Sequence, residues 1–232
     1  MKNVFILTGA GISAESGLKT FRDTNGLWEN FDVQDVASIE GFERNPKLVH
    51  EFYNMLRPQI DKAEPNSAHK AIAEFEKLPD INVYLVTQNV DLLHEKAGSK
   101  NVKHMHGRID ETVCLKCGHV IKTLDKSHFD DVCEKCSAKG FLKPNIVFFG
   151  EMPMFMDEIE RYLQISDTFI AVGTSGVVYP AAGFVSQAKL YGAETYLFNL
   201  EYTPNNYYFD HQILGKASET LPEFFKNFMG QK

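Results

Sequence analysis

All four cysteines of the chain fall between positions 114 and 136, as Cys114-x-x-Cys117 and Cys133-x-x-Cys136 with fifteen residues between the pairs. Each CxxC offers two thiolates, and four thiolates complete a tetrahedral Zn²⁺ shell. A closed four-sulfur shell leaves no position for water, so the expected metal is structural. Gly118, directly after the first pair, permits the tight turn such a knuckle uses. Disulfides suit short secreted chains, whereas paired CxxC spacing in a 232-residue chain reads as a metal site.

A second group of residues suits a phosphate-bearing ligand. Gly9-Ala10-Gly11-Ile12-Ser13-Ala14-Glu15-Ser16-Gly17 directly follows a short apolar run. Glycines there let the backbone approach a pyrophosphate, and a helix N-terminus supplies N–H donors. The third glycine comes too late for GxGxxG, so a generic dehydrogenase fingerprint fits poorly, and a bland glycine turn fits as well. Beyond the turn lie Phe21-Arg22-Asp23 and Gly26-Leu27-Trp28. Arg22 could reach a phosphate or pair with Asp23; for Trp28, core packing is the commoner role. Further on, Thr87-Gln88-Asn89-Val90-Asp91 ends an apolar run with amide and carboxylate groups suited to ribose hydroxyls. One of the three could instead cap the helix that follows. His104-Met105-His106-Gly107 precedes the cysteines. With the cysteine quartet complete, metal ligation is not needed; most lone histidines are not catalytic, but a histidine beside Gly at a domain junction, as His106 is, can serve as a general base.

These residues need elements to position them. Val4–Leu7, Val83–Val86, Ile146–Phe149, Phe169–Val172 and Tyr196–Phe198 are continuous apolar runs bounded by turn residues. Such runs suit strands buried on both faces of a parallel sheet, and helical patterns lie between them. The expected fold is α/β: a Rossmann-like parallel sheet domain with an inserted small zinc-binding and helical domain. Asn45 with Pro46 predicts a helix start; Val49, Phe52, Leu56 and Ile60 give its apolar face, and Pro58 should disturb its end. A second helix should begin near Asn66 and a third should close the chain through Leu221, Phe224, Phe225 and Phe228. The Rossmann-like domain is expected over 1–30, 78–106 and 144–232, and the small domain over 31–77 and 107–143. Segment 107–143 holds seven basic and six acidic residues and few apolar runs, so metal should hold it together.

Composition narrows the partners. Lys and Arg number 24 against 31 Asp and Glu, a net charge of −7. A fold that grips nucleic acid by bulk charge is disfavoured, also for the near-neutral cysteine segment. No stretch has the length of a membrane span, and four apolar residues near Met1 are too few for a signal peptide. A cytoplasmic monomer is expected.

The ordered set GAGISAESG, TFRD, GLW, TQNVD, HMHG, two CxxC pairs, PNIVFFGE, VGTSG, YPAA and FNLE runs through nearly the whole chain. It resembles the sirtuins, NAD⁺-dependent protein lysine deacylases, and most closely the bacterial and mitochondrial class that removes acidic acyl groups. The resemblance implies an active cleft between the two domains. NAD would contact Gly9 to Glu15, Phe21 to Asp23, Trp28, Gln88 to Asp91, Gly173-Thr174-Ser175, Asn199-Leu200-Glu201 and Ala217. His106 matches the family's catalytic base, and Asn89 and Asp91 match residues around the nicotinamide and its ribose. Val147-Phe148-Phe149-Gly150-Glu151 and Gly176, Val178 and Tyr179 resemble the two segments between which an acylated-lysine peptide adds as a strand. The implied chemistry begins with attack of the acyl carbonyl oxygen on C1′ of the nicotinamide ribose. His106 then takes a proton from a ribose hydroxyl, and water completes release of lysine and O-acyl-ADP-ribose.

One position departs from the pattern. The acidic-acyl class carries Tyr-x-x-Arg, both residues binding the distal carboxylate. Here Tyr53 matches, but Leu56 stands in the Arg position and Arg57 lies one residue later, about 100° round the helix. Burying a succinyl carboxylate without a cation is costly, so deacetylation and other neutral deacylation are placed above desuccinylation or demalonylation. The alternatives are a hydride-transferring NAD dehydrogenase, a protein ADP-ribosyltransferase sharing nicotinamide cleavage, and a non-catalytic zinc-ribbon binding module.

Overall fold

The computed structural model describes residues 1–19 and 31–230. Phe21, Arg22, Asp23 and Trp28, expected at the cofactor, lie outside the described residues. The strands are β1 (Lys2–Thr8), β2 (Ile81–Thr87), β3 (Lys103–His104), β4 (Gly107–Cys114), β5 (Val120–Lys122), β6 (Leu142–Ile146), β7 (Thr168–Val172), β8 (Glu194–Asn199) and β9 (His211–Leu214). The helices are α1 (Ala10–Ala14), α2 (Val33–Val36), α3 (Ile39–Arg44), α4 (Pro46–Lys62), α5 (Ser67–Phe75), α6 (Leu93–Ala97), α7 (Met156–Ile165), α8 (Phe184–Leu190) and α9 (Ala217–Gly230). No helix among the described residues is long and apolar enough to cross a membrane.

A six-stranded sheet in the order β3-β2-β1-β7-β8-β9 is parallel throughout. Its central strands are covered on both faces, which is why their sequences read as unbroken apolar runs. Phe5, Leu7, Phe169 and Ala171 pack under α7 and α8. Val4, Ile6, Ile170 and Val172 pack under α5 and α9. The chain order reverses at β1 and β7, so the crevice at their carboxyl ends is where a parallel sheet binds ligands.

The second sheet, β5-β4-β6, is antiparallel and carries the cysteine segment. Helix α4 packs beside it. Asn45 caps α4 by accepting a hydrogen bond from the Leu48 amide, with Pro46 in the first turn, as expected. Pro58 does not end the helix, which runs on to Lys62 because burial of Leu56 and Ile60 on either side holds that turn.

Three expectations need correction. Ile146–Phe149 is not a strand of the parallel sheet: Ile146 closes β6, and Ile146 and Phe148 are buried against α4. A continuous apolar run also suits a segment crossing a core. Helix α5, expected in the small domain, buries Ala68, Ile72 and Phe75 against the parallel sheet and α9. Arg57 lies away from the site. It is 1% exposed and donates to the carbonyls of Ile109 and Asp125, to Asn54 Oδ1, to Ser127 Oγ and to Thr112 Oγ1. It rivets α4 to the cysteine-bearing sheet. Arg57→Ala would strand these acceptors, and a loss of about 3–5 kcal/mol is expected from urea unfolding.

Candidate active site and metal centre

Each CxxC is a knuckle closed by a residue in the left-handed region. Gly118 has φ +69° and donates to the Cys114 carbonyl at 2.8 Å; Ser137 has φ 55° and donates to the Cys133 carbonyl at 2.8 Å. The glycine at 118 was legible in the sequence; its serine counterpart was not, because serine only rarely adopts this conformation. The four sulfurs lie within 4.8 Å of one another, with Cys114–Cys136 at 3.8 Å and Cys117–Cys133 at 3.7 Å. These spacings are too long for disulfides. Zn–S bonds of about 2.3 Å in a tetrahedron require sulfur–sulfur edges of about 3.8 Å, so the donor set fits zinc. Chelator treatment, or Cys114→Ser, is expected to lower the unfolding midpoint by roughly 10 °C in a thermal scan, with zinc restoring it to the chelated protein.

The turns after β1 and β7 meet at the crevice. A Cβ on Gly9 would lie 2.7 Å from the Gly173 carbonyl oxygen, and one on Gly11 would lie 2.7 Å from Gly173 Cα. The Gly11 amide also donates to the Gly173 carbonyl. These glycines are therefore required for the two turns to touch, and the Gly11 N–H is already used within the protein. Ile12 is buried beneath them. Asn199 Nδ2 donates to the carbonyls of Thr174 and Glu201, gathering the β7 and β8 ends, while Leu200 is exposed. Glu15 accepts from the backbone and hydroxyl of Ser218, next to Ala217 at the start of α9.

The end of β2 reaches into the same crevice. Asn89 Nδ2 donates to the Gly9 carbonyl and Ser13 Oγ, both at 3.1 Å. Ser13 Oγ donates to Asp91 Oδ2 at 2.8 Å, and the Leu93 amide donates to Asp91 Oδ1. Burial raises the Asp91 carboxyl, and those two hydrogen bonds oppose the rise. Asp91 thus accepts from the first amide of α6, whose N-cap is Leu92, and also binds Ser13.

His106 follows β3. Its Nδ1 lies 3.1 Å from the Gln88 carbonyl, which can only accept. The proton therefore sits on Nδ1 and the Nε2 lone pair is free. Burial lowers the His106 pKa and the Gln88 carbonyl partly restores it, so the ring is neutral near pH 7.

Two clefts flank these groups. One, of about 480 Å³, brings Ala10, Ser13, Asn89, Val90 and Asp91 together with Leu56. Its other walls, Leu18, Lys19, Gln59 and Ile60, were missed; only Gln59 and Ile60, one turn beyond Leu56, had a readable helical spacing. A second, shallow cleft joins Gln88 to Thr174, Gly176 and Val178. Of the two expected peptide-binding segments, Val147 donates its amide to the His106 carbonyl, and Phe149 and Tyr179 are exposed. Phe148 and Glu151 are not free to read a peptide. Phe148 stacks on Tyr53 and is buried; Glu151 accepts from the Phe148 amide and from Lys143 Nζ. Tyr53 is 4% exposed, so it forms the floor behind Phe148. Gly150 and Gly176 both have positive φ, and Ser175 follows Thr174 at the β7 turn.

A parallel sheet with a crevice at its switch point, a four-thiolate module on a separate antiparallel sheet and a neutral histidine define an enzyme class that works on a ligand in the crevice. The Sir2 family model matches residues 9–180. A Pasteurella multocida protein named NAD-dependent protein deacylase is 50% identical over 228 residues, covering 97% of each chain. A Bdellovibrio bacteriovorus protein of the same name is 50% identical over 230 residues, 98% of this chain and 97% of that one. A solved Sir2 homologue in complex with NAD has a TM-score of 0.89 at 36% identity, covering 98% of this chain and 89% of that one. The chain belongs to the Sir2 family.

Proposed function

We propose that the protein is an NAD⁺-dependent protein lysine deacylase acting on neutral acyl groups. The observation that carries this reading is the His106 ring, neutral and fixed by the Gln88 carbonyl, with Nε2 free beside the Asn89–Asp91 segment. NAD⁺, when bound, supplies an electrophilic ribose carbon with nicotinamide as its leaving group. Asn89 and Asp91, cross-tied through Ser13, orient the nicotinamide end; the Gly173–Ser175 and Asn199–Glu201 turns hold the rest. His106 Nε2 takes the proton from a ribose hydroxyl. The exposed backbones around Phe149–Gly150 and Gly176–Tyr179 receive an extended segment of the protein substrate. Zinc does none of this chemistry and holds the small domain.

Leu56 sets the acyl preference. It lies on the wall of the cleft that holds Asn89 and Asp91, while Arg57 is spent on α4 and the cysteine-bearing sheet. The test is mass spectrometry of matched acetyl-lysine and succinyl-lysine peptides incubated with NAD⁺. The expected result is faster loss of acetyl, with equimolar nicotinamide and O-acetyl-ADP-ribose. ADP-ribose left on protein would replace this reading with transferase activity. Survival of both peptides without nicotinamide release would end it.

A further inference from the structure

His104 is a buried histidine that the deacylation reading does not use. Its side chain is 3% exposed. Nδ1 lies 3.0 Å from the Asn89 carbonyl and Nε2 lies 2.8 Å from Glu95 Oε1. A carbonyl oxygen can only accept. Glu95 Oε1 also only accepts, because the carboxyl is ionised beside Arg108, whose Nη1 lies at 2.6 Å. Both ring nitrogens must therefore donate, and a ring that donates twice is an imidazolium. His50 shows the contrast: its nitrogens also face carbonyls, but Ser127 Oγ can donate to its Nδ1. Among the described residues His104 has no such donor.

The surroundings balance the charge. Burial alone would raise the Glu95 carboxyl, but the hydrogen bond and charge of His104, with Arg108, hold it down at about 2. Arg108 continues the chain, pairing with Asp110 through Nε and Nη2. The other titratable groups facing His104 are Asp91, whose carboxylate its charge favours, and His94, which burial keeps neutral. His104 ends β3 and His106 lies in the turn that follows it. They donate to consecutive carbonyls, His104 to Asn89 and His106 to Gln88.

We propose that His104 is a cationic positioning residue for the deacylation: as an imidazolium it clamps the Asn89 carbonyl and fixes the segment that presents Asn89 and Asp91 beside His106. Its kinetic part rests on the deacylase reading. Its charge does not.

The first test is ¹H–¹⁵N correlation spectroscopy of the histidine rings in the zinc-loaded full chain without substrate. Both His104 nitrogens should carry a proton at pH 7. A neutral His104 ring at pH 7 would overturn the proposal. The second test is His104→Gln, which keeps a donor but removes the charge. The KM for NAD⁺ should rise and kcat/KM should fall about tenfold. Wild-type KM for NAD⁺ and kcat/KM would also overturn it. Glu95→Gln, which removes the carboxylate partner, should leave one His104 nitrogen unprotonated at pH 7; an unchanged doubly protonated ring would contradict the pairing. A wild type that turns over no acyl peptide would strike the deacylase reading alone, because the spectroscopic arm uses no substrate.

Discussion

His106→Ala is expected to reduce deacylation of an acetyl-lysine peptide by about 10²–10⁴-fold, the usual loss when a positioned general base is removed. The fold should survive. The Nδ1 bond to the Gln88 carbonyl is one hydrogen bond of a partly buried ring, worth about 1 kcal/mol. The wild-type pH profile supplies an independent check. Burial lowers the His106 pKa, and the neutral ring is the competent form. Activity should therefore be full at neutral pH and fall only as pH drops through that lowered value, giving an acid limb below the ordinary histidine pKa of about 6.5. The limb should be absent from the residual activity of His106→Ala. A peptide-deacylation assay from pH 5 to 9 reads both effects. An acid limb centred above the ordinary value would remove His106 from the role of base, since no cause in its surroundings raises it that far.

Residues whose chemistry depends on spacing along the chain were the most legible. Two CxxC pairs specify their knuckles locally, and the sulfur spacings follow from that. The Asn45–Pro46 helix start is equally local. The parallel sheet was readable from its central strands, because burial on both faces writes an unbroken apolar run into β1, β2, β7 and β8. The edges were not. β3 has two residues, and β9 is His-Gln-Ile-Leu with no buried residue. Such strands exist through pairing with a neighbour. Ile146–Phe149 misled for the opposite reason, being apolar enough for the sheet while packing against α4.

The site divides along the same line. The Asn89–Asp91 segment and His106 could be found by residue type. What holds them could not: Ser13 lies 76 residues from Asn89 and 78 from Asp91, and Glu95 meets His104 across nine. The glycines show how a correct motif can carry a different cause. Gly9 and Gly11 read as room for a phosphate, yet here they are the room that two protein turns need to touch. The 100° helical offset gave the direction of Arg57, but only its five acceptors show that it is committed elsewhere.

Leu56→Arg is expected to reverse the acyl preference. Leu56 is 7% exposed and lines the cleft shared with Asn89 and Asp91, so a longer side chain can extend into that space instead of into the core. A guanidinium there would meet a succinyl carboxylate with charge-assisted, two-pronged geometry. Such hydrogen bonds contribute about 1.5–3 kcal/mol, which corresponds to roughly a 10- to 150-fold gain in kcat/KM for succinyl-lysine. The acetyl-lysine rate should fall modestly, because the new side chain narrows an apolar wall. Measuring kcat/KM for both peptides on both proteins isolates the interaction, since general damage lowers both rates while a new carboxylate contact raises one. Lys19 supplies the control. It is an exposed cation lining the same cleft. If wild type already removes succinyl as fast as acetyl, Lys19→Ala should abolish that activity, and the neutral preference assigned to Leu56 is then wrong. If wild type favours acetyl and Leu56→Arg gains nothing on succinyl, the distal end of the acyl chain does not reach Leu56, and the preference must be set on another wall of the cleft.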